Sequence, residues 1–144
     1  MDNKLFFYEL GKSIYKIDGF YSEYAKKFDV KENLMWILYA LNDGNEHSQK
    51  EICDSWDLPR STVNTIMKEL ESNGYVELSQ IKGEKRELRA NLTKSGKDYA
   101  DKSLAELYKI EKQVFETISD HKIIDKLNEI TENLYKNKEK IENE

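Results

Sequence analysis

The sequence predicts a mainly α-helical fold carrying one small β-hairpin, and three observations lead there. Apolar residues recur at steps of three and four along most of the chain, the spacing of one helix face. Proline occurs once and glycine six times in 144 residues, so few points interrupt a helix. Between Tyr75 and Leu92 the period changes from helical to alternating around a polar centre that contains Gly83.

The hydrophobic share is 38% and the charged share 35%. Apolar content at that level builds a core only if it is gathered on faces, and the periodicity shows that it is; solvated helices follow rather than disorder. The length suits one domain or two small lobes. The expected organisation is an N-terminal helix over residues 1–30, a central module over 31–95 and C-terminal helices over 96–144.

The first helix spans about Lys4–Phe28, with Phe7, Leu10, Ile14, Ile17, Tyr21, Tyr24 and Phe28 on one stripe. Phe6, Tyr15 and Phe20 fall outside that stripe, so the helix is apolar on more than one side. A single small lobe rarely covers both sides of such a helix, whereas a second subunit would. A second helix covers about Lys31–Leu41 and ends at Asn42-Asp43-Gly44-Asn45, which has turn chemistry. After a short connection at Glu46-His47, Ser48-Gln49-Lys50-Glu51 has the form of a capping box and starts a third helix. Ile52 and Trp56 point inward from it, and it stops near Asp57-Leu58-Pro59. Pro59 suits the first position of a fourth helix, which runs to Asn73 and closes at Gly74.

On that fourth helix Val63, Ile66, Met67 and Leu70 form the apolar stripe. At about 100° per residue, Ser61, Thr65, Lys68 and Ser72 face the other way, with Thr62, Asn64 and Glu69 on the flanks. Tyr75–Ile81 and Glu87–Leu92 alternate as two strands around a charged tip at Lys82-Gly83-Glu84-Lys85-Arg86. Thr93 or Ser95 starts a further helix through Ile118, with Ala100, Leu104, Leu107, Ile110, Val114 and Ile118 on one face. A last helix spans about Lys122–Ile141 with Ile124, Leu127, Ile130, Leu134 and Ile141 on its face.

Two short helices joined by a tight turn and followed by a hairpin make a winged helix-turn-helix. A helix fits the major groove of duplex DNA, and outward side chains near its N-terminus reach base edges. The candidate contacts on the fourth helix are Arg60, Ser61, Thr62, Asn64, Thr65 and Lys68, and those on the wing are Lys82, Lys85 and Arg86. The chain as a whole carries a formal net charge of −5, which argues against a protein that coats DNA through general basicity. Local charge says otherwise. From Glu77 to Lys97 six basic residues stand against three acidic ones, a net +3 where a wing meets phosphates.

From Ser48 to Gly96 the chain resembles the multiple antibiotic resistance regulator (MarR) family. The residues that carry the resemblance are Ser61-Thr62-Val63, Leu70-Glu71 followed by Asn73-Gly74-Tyr75-Val76, and Leu92-Thr93 followed by Gly96. Family members carry an Asp-x-Arg pair in the wing, eight residues before the Leu-Thr; here Glu84-Lys85-Arg86 stands at that spacing. The resemblance implies that Arg86 touches the minor groove or backbone and that Glu84 orients it. It also implies a transcriptional regulator, repressor or activator, acting as a homodimer on a pseudo-palindromic duplex, and the lone cysteine and the lack of a signal or spanning segment make the cytoplasm its expected place. The order of helices extends the resemblance over nearly the whole chain. Where family members often carry arginine this chain has Thr65, and where they carry Asp-Arg it has Lys68-Glu69, so the recognition helix is less basic than usual.

Other chemistries find little support. Cys53 is the one cysteine, which excludes an internal disulfide and leaves no resolving thiol; a packed thiol is the expectation. His47 and His121 have no neighbour at metal-ligand spacing, so no metal or cofactor is expected. No nucleophile–base pair or phosphate loop points to an enzyme. The N-terminus lacks a signal-peptide pattern, and no apolar run approaches the roughly 20 residues that span a bilayer. Related regulators bind small aromatic effectors, which makes Tyr15, Tyr21, Trp36 and Tyr39 candidates for a pocket; core or dimer packing explains the same aromatics. The alternative function is a winged-helix adaptor that binds protein rather than DNA.

Overall fold

In the computed structural model, residues 1–27, 30–80 and 88–144 are described. Their elements run α1 (Asn3–Lys27), α2 (Glu32–Leu41), β1 (His47–Ser48), α3 (Gln49–Trp56), α4 (Arg60–Ser72), β2 (Val76–Gln80), β3 (Leu88–Leu92), α5 (Lys94–Phe115) and α6 (Ile123–Glu142). The three strands form one antiparallel sheet in the order β1-β3-β2. Val76 lies opposite Leu92 and Gln80 opposite Leu88, the register of a hairpin. The fold is a winged helix-turn-helix with long helices before and after it.

Local chemistry sets the helix ends. The Ser48 hydroxyl accepts from the Glu51 amide at 3.0 Å, and the Glu51 carboxylate accepts from the Ser48 amide at 3.1 Å. The expected capping box is therefore formed, and it satisfies two amides that would otherwise go unpaired at the start of α3. Asp57 ends α3 in the left-handed region at φ 51°. Pro59 stands one position earlier than expected. Its backbone is extended (ψ 137°) and its carbonyl accepts the first bond of α4, from Val63 at 3.1 Å, so it occupies the N-cap rather than the first turn. Gly74 closes α4 at φ +73°, which a residue with a Cβ adopts only under strain. The strand β1 departs from the expected plain connection: His47 and Ser48 pair with Ala90 and Arg89.

The chain divides into two compact parts, Met1–Leu107 and Tyr108–Glu144. The first is built on Met35, Ile37, Leu38 and Leu41 of α2, Ile52 of α3, Val63, Met67 and Leu70 of α4, Val76 and Ala90 of the sheet, and Ala100, Leu104 and Leu107 of α5. α1 contributes only Tyr24 and Ala25 to this core. The Tyr24 hydroxyl donates to the Ser103 carbonyl at 3.0 Å and accepts from the Leu107 amide at 3.2 Å. Burial pushes its phenol pKa up, against the lowering effect of the Leu107 amide. Elsewhere on the α1 stripe Phe7, Ile14 and Ile17 are exposed in the single chain, as are Phe6 and Tyr15 off the stripe, while Leu10 and Tyr21 are half-buried and Phe28 lies outside the described residues. In the second part α6 has no buried residue, although Leu127 and Ile130 are half-buried, and the Phe115 and His121 rings stack at 4.4 Å.

α4 and α5 meet at a close junction. Gly96 lies so near the Tyr75 carbonyl that an added Cβ would collide with backbone. Gly96→Ala therefore displaces one of two fixed chains and should lower stability by about 3 kcal/mol, read from the midpoint of urea unfolding.

A second tie sits at the entry to α3. His47 Nε2 lies 2.8 Å from the Asp43 carboxylate, and its Nδ1 lies 3.9 Å from Glu51. The hydrogen bond from His47, joined by the Asn45 amide, holds the Asp43 carboxyl below its ordinary value. A depressed carboxyl contributes stability above its unfolded pKa, about 3.9, and loses it as the pH falls through the folded value. Asp43→Asn should accordingly melt below the parent protein at pH 7, with the gap narrowing as the pH falls below about 4.

Candidate nucleic-acid interface

The site rests on the division of α4 into two faces. Val63, Ile66, Met67 and Leu70 are buried, and they recur on one side of the helix as expected. Arg60, Ser61, Thr65, Lys68 and Glu69 are exposed, and Thr62 and Asn64 are half-buried on the flanks. The outward row is polar throughout and begins at the N-terminal end, the end that a helix-turn-helix presents to base edges. Six of the expected contacts, Arg60, Ser61, Thr62, Asn64, Thr65 and Lys68, thus share one helix face and its edges. Lys82, Lys85 and Arg86, together with Glu84, lie outside the described residues.

The hydroxyl proton of Thr65 is already engaged, donated to the Ser61 carbonyl at 2.9 Å. Its oxygen keeps free lone pairs, so in this rotamer Thr65 presents an acceptor. Among the described residues neither Arg60 nor Lys68 is in an ion pair, which leaves both cations for a partner. Glu69 and Glu71, also exposed, bring the formal charge of α4 to zero. A groove of about 470 Å³ runs beside this face, between Lys31–Leu34 at the start of α2 and Ser61, Thr62, Thr65, Ile66 and Glu69. β3 adds Arg89, half-buried, and α5 begins with Lys94 and Lys97; Lys97 is tied to Asp101 at 3.0 Å.

The aromatic candidates divide. Tyr21, Trp36 and Tyr39 come together, with ring centroids 4.7 Å apart for Tyr21–Trp36 and 5.8 Å for Trp36–Tyr39. Trp56 completes the group, 5.1 Å from Trp36 and 5.9 Å from Tyr39. It was legible only as an inward residue one turn from Ile52, with nothing to show which rings it meets. The cluster joins α1, α2 and α3 as packing. Tyr15 takes no part in these ring contacts and is 79% exposed. Two surface grooves, the one beside α4 and another of about 320 Å³ between Leu41–Glu46 and Asn91–Lys97, are lined by other residues. Cys53 is half-buried. Among the described residues no group of three acidic, histidine or cysteine side chains is placed to hold a metal, and no helix is long and apolar enough to cross a membrane.

A family model described as MarR family matches residues 29–87. The transcriptional regulator SarZ of Staphylococcus saprophyticus is 31% identical over 109 residues, 76% of this chain and 70% of SarZ. Two further curated relatives, also named as transcriptional regulators, are matched over 44% and 52% of their length, so the chain spans about half of each. Among solved structures, the MarR family regulator NMB1585 of Neisseria meningitidis aligns over 96% of this chain and 99% of its own, with 27% identity and a TM-score of 0.82. Reduced AbfR bound to DNA shares the fold at a TM-score of 0.58 and 20% identity, over 92% of this chain and 93% of AbfR. The helix order, the winged module and the sequence match agree, and the chain belongs to the MarR family of transcriptional regulators.

Proposed function

We propose that this protein binds a specific double-stranded DNA site as a homodimer and regulates transcription from it. The observation that carries the reading is the exposed polar face of α4, whose opposite face is buried in the winged module. The structure of a fold neighbour bound to DNA supports DNA as the partner. In this reading residues 31–95 contact DNA, and the segments 1–30 and 96–144 hold two copies together. α4 enters the major groove, with Asn64 and Thr65 reading base edges and Arg60 and Lys68 meeting phosphates. Lys82, Lys85 and Arg86 supply further phosphate contacts from the wing. A small aromatic effector acting near Tyr21, Trp36 and Tyr39 belongs to the same reading. It requires the cluster to open, since the rings already pack against one another.

Selection of bound sequences from random duplex DNA tests the partner. A recovered inverted repeat, with half-sites about one turn apart (roughly 34–36 Å), is the expected result; no enrichment, together with capture of a protein partner through α4, favours the adaptor.

On the recovered site the contacts separate by role. Asn64→Ala should erode discrimination between matched and scrambled DNA by about 1–3 kcal/mol. Arg86→Ala should weaken both by similar factors and reduce the salt dependence by about one phosphate contact. Titration of both variants on both duplexes at two salt concentrations decides it, and the opposite pattern would exchange the roles of helix and wing.

The exposed apolar residues of α1, α5 and α6 support the homodimer. Among them Phe6, Phe7, Ile14, Ile17, Val114 and Ile124 would otherwise stand in water. Sedimentation should show a dimer at micromolar concentration, and a stable monomer there would count against it.

A further inference from the structure

The DNA-facing side of α4 is free, so its pose is fixed from behind and at its ends, and the C-terminal end is held by an unusual density of directional contacts. The Thr93 hydroxyl donates to the Gly74 carbonyl at 2.6 Å and accepts from the Gly96 amide at 3.0 Å. The Ser95 hydroxyl lies 3.1 Å from the same Gly74 carbonyl. The Thr93 amide donates to the Tyr75 carbonyl at 3.0 Å, and the Tyr75 ring stacks on Tyr99 at 4.4 Å and 5°. The residues that cap α5 thereby grip the two residues that terminate α4.

The same helix is gripped again further along. The Tyr24 hydroxyl sits on the rung of α5 formed by the Ser103 carbonyl and the Leu107 amide, the two groups that an undisturbed helix joins to each other. α5 is thus held at two points about 10–20 Å apart along its axis, once by α1 and once by the end of α4.

We infer that Thr93 and Tyr24 are positioning residues for DNA recognition: through α5 they fix the pitch of α4, and so the half-site spacing that the protein accepts. The inference rests on the DNA-binding reading above. Neither hydroxyl touches DNA in it. Loosening either one leaves the face of α4 intact but lets its direction vary. A recognition helix of fixed direction rejects a site whose halves are moved by one base pair, which shifts them by about 3.4 Å and turns them by about 34°. One of variable direction tolerates the shift. A merely stabilising contact changes the melting temperature and leaves spacing preference alone.

The experiment uses the full chain and three variants: Thr93→Val, which keeps the shape and removes the hydroxyl; Thr93→Ser, which keeps the hydroxyl; and Tyr24→Phe. Each is titrated against the duplex selected by the parent protein and against versions lengthened or shortened by one base pair at the centre, and each is checked by thermal melting. The parent protein should prefer the selected spacing by about tenfold, the usual scale for one disturbed base step. Thr93→Val and Tyr24→Phe should bring that preference close to one, while Thr93→Ser retains it. Thr93→Val and Tyr24→Phe with unchanged spacing preference, whatever their melting temperature, overturn the inference. If Thr93→Val does not fold, Tyr24→Phe decides alone. A parent protein that selects no duplex at all refutes the DNA-binding reading itself, an outcome distinct from variants that bind but do not relax.

Discussion

On the proposed reading α4 enters a groove, and a helix that does so can be held only from the side that stays out of it. α4 meets this constraint with four buried side chains, Val63, Ile66, Met67 and Leu70, on one stripe. Each is worth about 1.5–3 kcal/mol of transfer free energy, enough to keep the helix docked. Such burial is not directional, however, and a single stripe leaves a helix able to roll and tilt on the core beneath it. Direction comes from its two ends. At the N-terminus Asp57 turns the chain through the left-handed region and Pro59 fixes the entry. At the C-terminus Gly74 and Tyr75 are gripped by Thr93, Ser95 and Gly96. The apolar face gives the energy and the polar ends give the geometry.

Charge imposes a second constraint. A chain of net −5 is repelled by DNA at long range unless positive charge is gathered locally. In α4 Arg60 and Lys68 are offset by Glu69 and Glu71, so this helix adds no net attraction. What it offers is hydrogen-bonding variety: Ser61, Thr62, Asn64 and an acceptor at Thr65. On the proposed reading, attraction falls to the basic segment Glu77–Lys97 and discrimination to α4. On the same reading, a threonine at position 65 costs α4 little, because attraction does not depend on that helix.

The elements that were legible in the sequence are those whose causes are local. The capping box at Ser48 and Glu51 needs only residues three apart, and it forms as read. The two faces of α4 follow from helical period, and the existence of β2 and β3 follows from alternation on either side of a polar centre, though their register does not. What stayed hidden depends on partners distant in the chain. β1 is two residues long, too short for any period, and exists because His47 and Ser48 meet Ala90 and Arg89. Trp56 read as an inward residue, but its ring partners lie on α2, and sequence spacing does not tell one helix from another. Pro59 read as the first residue of α4 and stands instead at its N-cap, with an extended backbone that composition does not reveal. Thr93 and Gly96 were legible as parts of a resemblance; that they close on Gly74 and Tyr75 is a fact of three dimensions.

α1 shows why the terminal helices and the recognition module are not independent designs. Its last turns carry Tyr24 and Ala25 into the core, while most of its earlier turns leave Phe6, Phe7, Ile14 and Ile17 in water in the single chain. A helix with that pattern is anchored at one end and waits for a cover over the rest. If a second copy supplies the cover, the element that feels the partner is the one that pins α5 through Tyr24. α5 in turn holds the end of α4. Dimerisation and the pose of the recognition helix then share a single helix and two hydroxyl groups. A ligand or partner that shifted α1 would reach α4 through those groups, because rigid helices joined by directional hydrogen bonds in a close-packed interior of low compressibility pass on displacement rather than absorb it.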